Sequence, residues 1–100
     1  MNGARGEASI RIGGTKVVLR PSFAALVAAE AELGSLFALV ERAASAGLLL
    51  TEIVALFWHC LCDRPECVTR EALGDAVVAA GLSGVTPALK TLLRQILSGA

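Results

Sequence analysis

Apolar and polar residues alternate from residue 7 to residue 20, and from residue 22 onward apolar residues recur every three to four positions. The first period is that of a strand with one buried face, the second that of amphipathic helices. Within the alternating stretch, Gly13-Gly14 supplies a two-residue turn that tolerates positive φ. Setting Ile12 opposite Thr15 places Ile10 opposite Val17 and Ala8 opposite Leu19, with all six side chains on one face. The other face then carries Arg11 opposite Lys16, Ser9 opposite Val18 and Glu7 opposite Arg20. The like-charged Arg11–Lys16 pair is mildly unfavourable, and the Glu7–Arg20 pair offsets it. A lone hairpin is marginal in water, so its apolar face must rest on the helices. Two strands also leave at least one edge open to a partner strand.

Pro21 ends the strand, and Ser22 is placed to cap a helix that runs to residue 33 and stops at Gly34. Phe23, Leu26, Val27 and Leu33 form its stripe. Ser35 caps a second helix, with Leu36, Leu39, Val40 and Ala43 inward and Glu41 and Arg42 outward, ending by Gly47. Thr51 is read as the cap of a third helix reaching Cys62. Its apolar residues Ile53, Val54, Leu56, Phe57, Cys60 and Leu61 cover most of its circumference, which makes it the central helix. Residues 63–66 read as a turn, and Thr69 caps a fourth helix. Val68 and Leu73 sit where a hydrophobic staple would place them, and Gly81 ends the helix. A short link over residues 82–85 leads to Thr86-Pro87, read as the cap and first position of a last helix carrying Leu89, Leu92, Leu93 and Ile96 inward.

The fold class is therefore α+β, mostly helical: an N-terminal β-hairpin followed by about five short helices. The whole of 1–100 is read as a single domain, with 1–6 disordered, 7–20 the hairpin and 22–98 helical. One hundred residues suffice for one core without staples.

Composition adds a surplus. Apolar residues make up 55% of the chain, against about 45–50% in soluble domains. Charged residues are 18%, against about 25%. Part of the excess is alanine; the rest is available for a partner-binding patch. Net charge is zero but segregated. Arg5, Arg11, Lys16 and Arg20 outweigh Glu7 in the first 20 residues, while residues 21–85 hold three arginines against eight acids. That lacks the dense basic face of a nucleic-acid binder. It suits head-to-tail self-association, with a mixed solvated surface as the plainer reading.

Residues 43–62 carry one charge, Glu52, over a length that could span a bilayer. An acid near the bilayer centre costs about 2.5–3.5 kcal/mol. Ser45, Gly47 and Thr51 break the stretch, so it reads as a helix junction leading into a buried helix.

Cys60, Cys62 and Cys67 fall within eight residues. Their odd number and the absence of an apolar leader near the N-terminus point to a reducing cytoplasm and away from a disulfide framework. With His59 they form the one cluster with metal-ligand chemistry. On a helix, Cys60 and Cys62 point about 200° apart and cannot share an ion. His59, Cys62 and Cys67 would supply three ligands where structural zinc takes four. His59 and Cys62 could also meet as a nucleophile and base, but no third orienting group is evident. No catalytic residue, metal ligand or cofactor is assigned. Gly13-Gly14 joins two strands and is not a phosphate loop.

Four residues are candidate interface positions: Arg11, Lys16, Glu30 and Trp58. Glu30 falls in the apolar stripe of the first helix, where a carboxylate is either ion-paired, with Arg20, Arg42 or a hairpin base, or makes an acidic contact in a partner-facing groove. Glu32 points the opposite way. Trp58 lies off the main stripe of the central helix, where it either packs in the core or anchors an interface.

The hairpin ending in Leu19-Arg20-Pro21-Ser22-Phe23, then Ala28-Ala29-Glu30-Ala31-Glu32-Leu33-Gly34, then Thr51-Glu52-Ile53 and the C-terminal helix pair resemble a family of small proteins encoded among the tail genes of gene transfer agents and related prophages. The resemblance spans residues 5–99. The family carries a tail-tube label, and its size and helical pattern also resemble tail assembly chaperones. Tube proteins are usually β-sandwich rings, whereas this sequence predicts helices. The resemblance thus implies a tail assembly factor, or a tail component, that binds other tail proteins and possibly itself. It implies no enzyme activity, small-molecule substrate, nucleic acid or membrane. It places the protein in the bacterial cytoplasm, with incorporation into a phage-like particle left open. A small helical nucleic-acid-binding regulator and a cysteine-based metal or redox module are the alternatives.

Overall fold

Two strands open the fold of the computed structural model, which describes residues 8–12, 14–45, 47–62 and 68–98. Strands β1 (Ala8–Ile12) and β2 (Thr15–Leu19) pair antiparallel, with Ile12↔Thr15, Arg11↔Lys16, Ile10↔Val17, Ser9↔Val18 and Ala8↔Leu19. This is the register that the alternation predicts. Gly14 turns the chain at φ 85°, a region open to glycine. Ile12, Val17 and Leu19 are buried, and Ala8 and Ile10 pack against the core. Glu7, the expected partner of Arg20, lies outside the described residues, as do residues 1–6.

Ser22 caps α1 (Phe23–Leu33) by accepting from the Ala25 N–H at 3.2 Å. Gly34 ends it at φ 84°, its N–H donating to the Glu30 carbonyl. Ser35 caps α2 (Leu36–Ala44) through the Ala38 N–H, also at 3.2 Å.

The next helix, α3 (Leu50–Cys60), departs from expectation at both ends. Thr51 lies inside it and does not cap it. The N-cap is Leu49, whose N–H donates to the Glu52 carboxylate at 2.9 Å. That carboxylate makes the reciprocal half of a capping box, while the Glu52 N–H itself donates to the Leu49 carbonyl at 3.0 Å. At the other end the helix stops at Cys60, whose carbonyl accepts from the Arg20 N–H at 2.7 Å. Leu61–Cys62 then runs as a third strand, β3, antiparallel to β2, with Leu19↔Leu61 and Val18↔Cys62. The sheet order is β1-β2-β3. One end of β2 is thereby covered, and β1 and the two-residue β3 are the edge strands.

Thr69 caps α4 (Arg70–Ala80) through the Ala72 N–H at 3.0 Å, and Gly81 ends it at φ 80°. The last helix, α5 (Leu82–Ser98), starts at once and contains Pro87. The expected start at Thr86-Pro87 is too late. The N–H groups of Gly84 and Val85 already donate to the Gly81 carbonyl, which closes a first turn. Thr86 does not cap; its hydroxyl donates back to the Leu82 carbonyl at 2.7 Å. The expected turn at 63–66, and Cys67, lie outside the described residues.

The core gathers on α3, whose Ile53, Ala55, Leu56, Phe57 and Cys60 are buried. It packs between α1 and α4, while α5 lies across β1, α4 and α2. Leu19, Leu39, Leu73, Val77 and Leu92 are fully buried with Phe57. Among the described residues no single helix is long and apolar enough to cross a membrane. The apolar stretch 43–62 is interrupted between α2 and α3.

Candidate protein-binding surface

The predicted stripe of α1 is only half inward. Ala29 is buried and Leu26 and Leu33 pack on the core, but Phe23 is 85% exposed and Val27 48%. Helices α1 and α2 meet at a 77° bend. Gly34 makes that bend possible, with φ 84° and ψ −159°, a conformation essentially confined to glycine. Glu30 braces it: its carboxylate accepts the Leu36 N–H, at the first position of α2, at 3.2 Å. The open side of the bend, closed below by Ile96 and Leu97 of α5, forms a groove of about 340 Å³. Phe23, Leu26, Val27, Leu36, Phe37, Val40, Ile96 and Leu97 line it, and Glu30 is the charged residue in its wall among the described residues. Phe37 is 65% exposed and Leu97 58%. Four large apolar side chains thus face outward around one concave surface. Removing a phenylalanine or leucine side chain from water contributes about 1.5–3 kcal/mol, so exposed side chains of this size leave favourable burial unrealised.

A second groove runs between α3 and α4. Leu50, Thr51 and Val54 form one wall, and Arg70, Glu71, Gly74, Asp75 and Val78 the other. Glu32 of α1 stands at its end. A Cβ at Gly74 would make only an ordinary contact, with Val54 Cγ1 at 4.0 Å.

Glu32 ties three helices together. It pairs with His59 Nε2 at 2.8 Å and with the Arg70 guanidinium. Hydrogen bonds from Arg70, then His59, hold its carboxyl below the usual carboxylate range. Glu52 is similarly lowered, first by Arg42 at 2.7 Å and then by the Leu49 N–H. Arg42 is therefore committed to Glu52, and the expected ion pair of Glu30 with Arg42 does not form. Glu30 is exposed on the groove wall and not in the core.

The other expected sites separate. Arg11 and Lys16 are cross-strand neighbours on the exposed hairpin face, and the Arg11 Nη1 donates to the Gly14 carbonyl at 3.1 Å. Trp58 is half-buried and packs against the core. His59 is engaged by Glu32, and Cys60 is buried, its thiol pushed up to about 12 by desolvation. Cys62 sits on β3, not on the helix with His59. Among the described residues no three His, Cys, Asp or Glu side chains are grouped to hold a metal ion.

The groove residues Phe23, Phe37 and Leu97 were not among the sequence candidates. A signal existed for Phe37, which follows the inward Leu36 and so belongs to the outer side of its helix. For Phe23 and Leu97 there was none, because both continue apolar stripes that look like core.

The described residues form a helix-dominated fold with a small sheet, with aromatic side chains facing outward around an apolar groove. The sequence profile of the family described as phage tail tube protein, GTA-gp10, matches residues 5–99. The chain belongs to that family. Neither the curated proteins nor the solved structures contain a significant match to it.

Proposed function

We propose that this chain serves phage-type tail morphogenesis as an assembly factor, seating an apolar segment of another tail protein in the groove between α1, α2 and the end of α5. The observation that carries this reading is the exposure of Phe23 and Phe37 on either side of that groove. Contiguous apolar surface of this kind marks interaction sites. Glu30 on the groove wall selects a segment that brings a cation beside its apolar residues. An assembly role is favoured over a tube subunit by the size of the sheet, whose strands are 5, 5 and 2 residues long. Stacked tube rings are built from extended β-structure, and little is present here. The protein acts by binding, without catalysis, in the cytoplasm where tails are built.

Epitope-tagged chain expressed with its tail genes tests this. It should co-purify from lysate with at least one other tail protein and be missing from finished, density-purified particles by mass spectrometry. Recovery from those particles at the stoichiometry of a tube subunit would overturn the assembly-factor reading.

A further inference from the structure

The hairpin and the α3–α4 groove carry matching frustrations. Arg11 and Lys16 face each other across the strands on exposed backbone, a like-charge pair. Glu71 and Asp75 lie one turn apart on the exposed side of α4, also a like-charge pair. Among the described residues no ion pair reaches Lys16, Glu71 or Asp75. Arg70, the cation in the groove wall among the described residues, is already paired with Glu32. Each pair is mildly unfavourable in an isolated copy, and each is relieved by the other.

We infer that the Arg11/Lys16 face of one copy docks into the acid-rimmed groove between α3 and α4 of a second copy. The groove, about 480 Å³, has apolar Leu50, Val54 and Val78 in its walls together with the two carboxylates. That matches the chemistry of long cationic side chains. Their methylene stems cover apolar surface while their charged ends reach for carboxylates. Leu50 and Val78 are exposed, so covering them removes apolar area from water.

The groove cannot be filled by its own hairpin. Gly74, Asp75 and Val78 line it from one flank of α4. Ala76, Val77 and Ala80, on the other flank, line the small cavity against Ser9, Ile10 and Arg11 of β1. Hairpin and groove therefore lie on opposite sides of one helix, and the contact requires another molecule. It joins two different surfaces, so it is heterologous and can repeat. It uses none of the Phe23–Phe37 groove, and stands or falls independently of the assembly role.

Light scattering of the full chain over a concentration series tests this. Wild type should associate, into dimers or longer chains, more strongly at low salt than at high salt. Arg11→Glu with Lys16→Glu, and separately Glu71→Lys with Asp75→Lys, should each weaken association at least about tenfold with unchanged circular dichroism. Mixed in equal amounts, the two variants should associate again, because each supplies the face the other lacks. Arg11→Ala with Lys16→Ala serves as a milder substitute should either reversal disturb folding. A wild type that stays monomeric throughout would overturn the inference. So would association untouched by either reversal, or variants that fail to recover on mixing.

Discussion

Cys60 illustrates how one residue's surroundings set its chemistry. It is buried at the last turn of α3, and burial pushes its thiol from 9.0 to about 12. The folded state thus disfavours the thiolate, the reactive form. Its contribution to stability is whole below pH 9 and is lost as pH rises toward 12. Stability measured by urea unfolding should accordingly decline above about pH 9, and Cys60→Ala should flatten that decline. Peptide mapping after treatment with a maleimide at pH 8 should find Cys60 unmodified in the native protein and modified in urea. Labelling of native Cys60 at the rate of the unfolded chain would contradict this. The burial of Cys60 was legible from its place on an apolar helix. The partner of Glu30 was not: which N–H its carboxylate meets depends on the angle between α1 and α2, and helical periodicity carries no record of that angle.

At the scale of elements, the glycines that end helices separate from those inside them. Gly34 and Gly81 adopt φ 84° and 80° with extended ψ. A Cβ at either would meet nothing within 4 Å, so substitution there is opposed by the backbone alone. Gly81→Ala should lower stability by about 1–3 kcal/mol. Gly84 lies within α5, and a Cβ there would touch Ala80 Cβ at 3.4 Å, an ordinary contact. Gly84→Ala should raise stability by about 0.5–1 kcal/mol. Thermal unfolding of the two variants checks both signs, and equal effects would contradict the assignment of Gly81 to the turn. Both ends of α3 and the start of α5 show where local signals mislead. Thr51 and Thr86-Pro87 look like helix starts by residue type, yet the acceptors that decide lie elsewhere, at the Glu52 carboxylate and the Gly81 carbonyl. Strand β3 was invisible for a related reason. Leu61–Cys62 continues the apolar pattern of α3, and only β2, distant in sequence, pulls it into a sheet. The hairpin register, by contrast, follows from two adjacent glycines and a period of two, which leave no freedom.

For the whole molecule, the apolar surplus in the composition is found largely on two outward surfaces. Phe23, Val27, Phe37 and Leu97 surround the groove between α1, α2 and α5, while Leu49, Leu50 and Val78 are exposed about α3 and α4. Composition announced that such surface existed, but the split between core and groove within α1 is set by where α2 turns away. The proposed role of the first groove is to hold another tail protein. Phe23→Ser combined with Phe37→Ser tests it most directly, since both side chains are so exposed that stability should change by only about 0.5 kcal/mol. Wild type and variant, each immobilised, are exposed to lysate containing the neighbouring tail proteins, and the bound fraction is quantified. Capture at least about tenfold lower by the variant, with its circular dichroism unchanged, is the predicted result. Equal capture by the two would show that tail proteins are held elsewhere than in this groove.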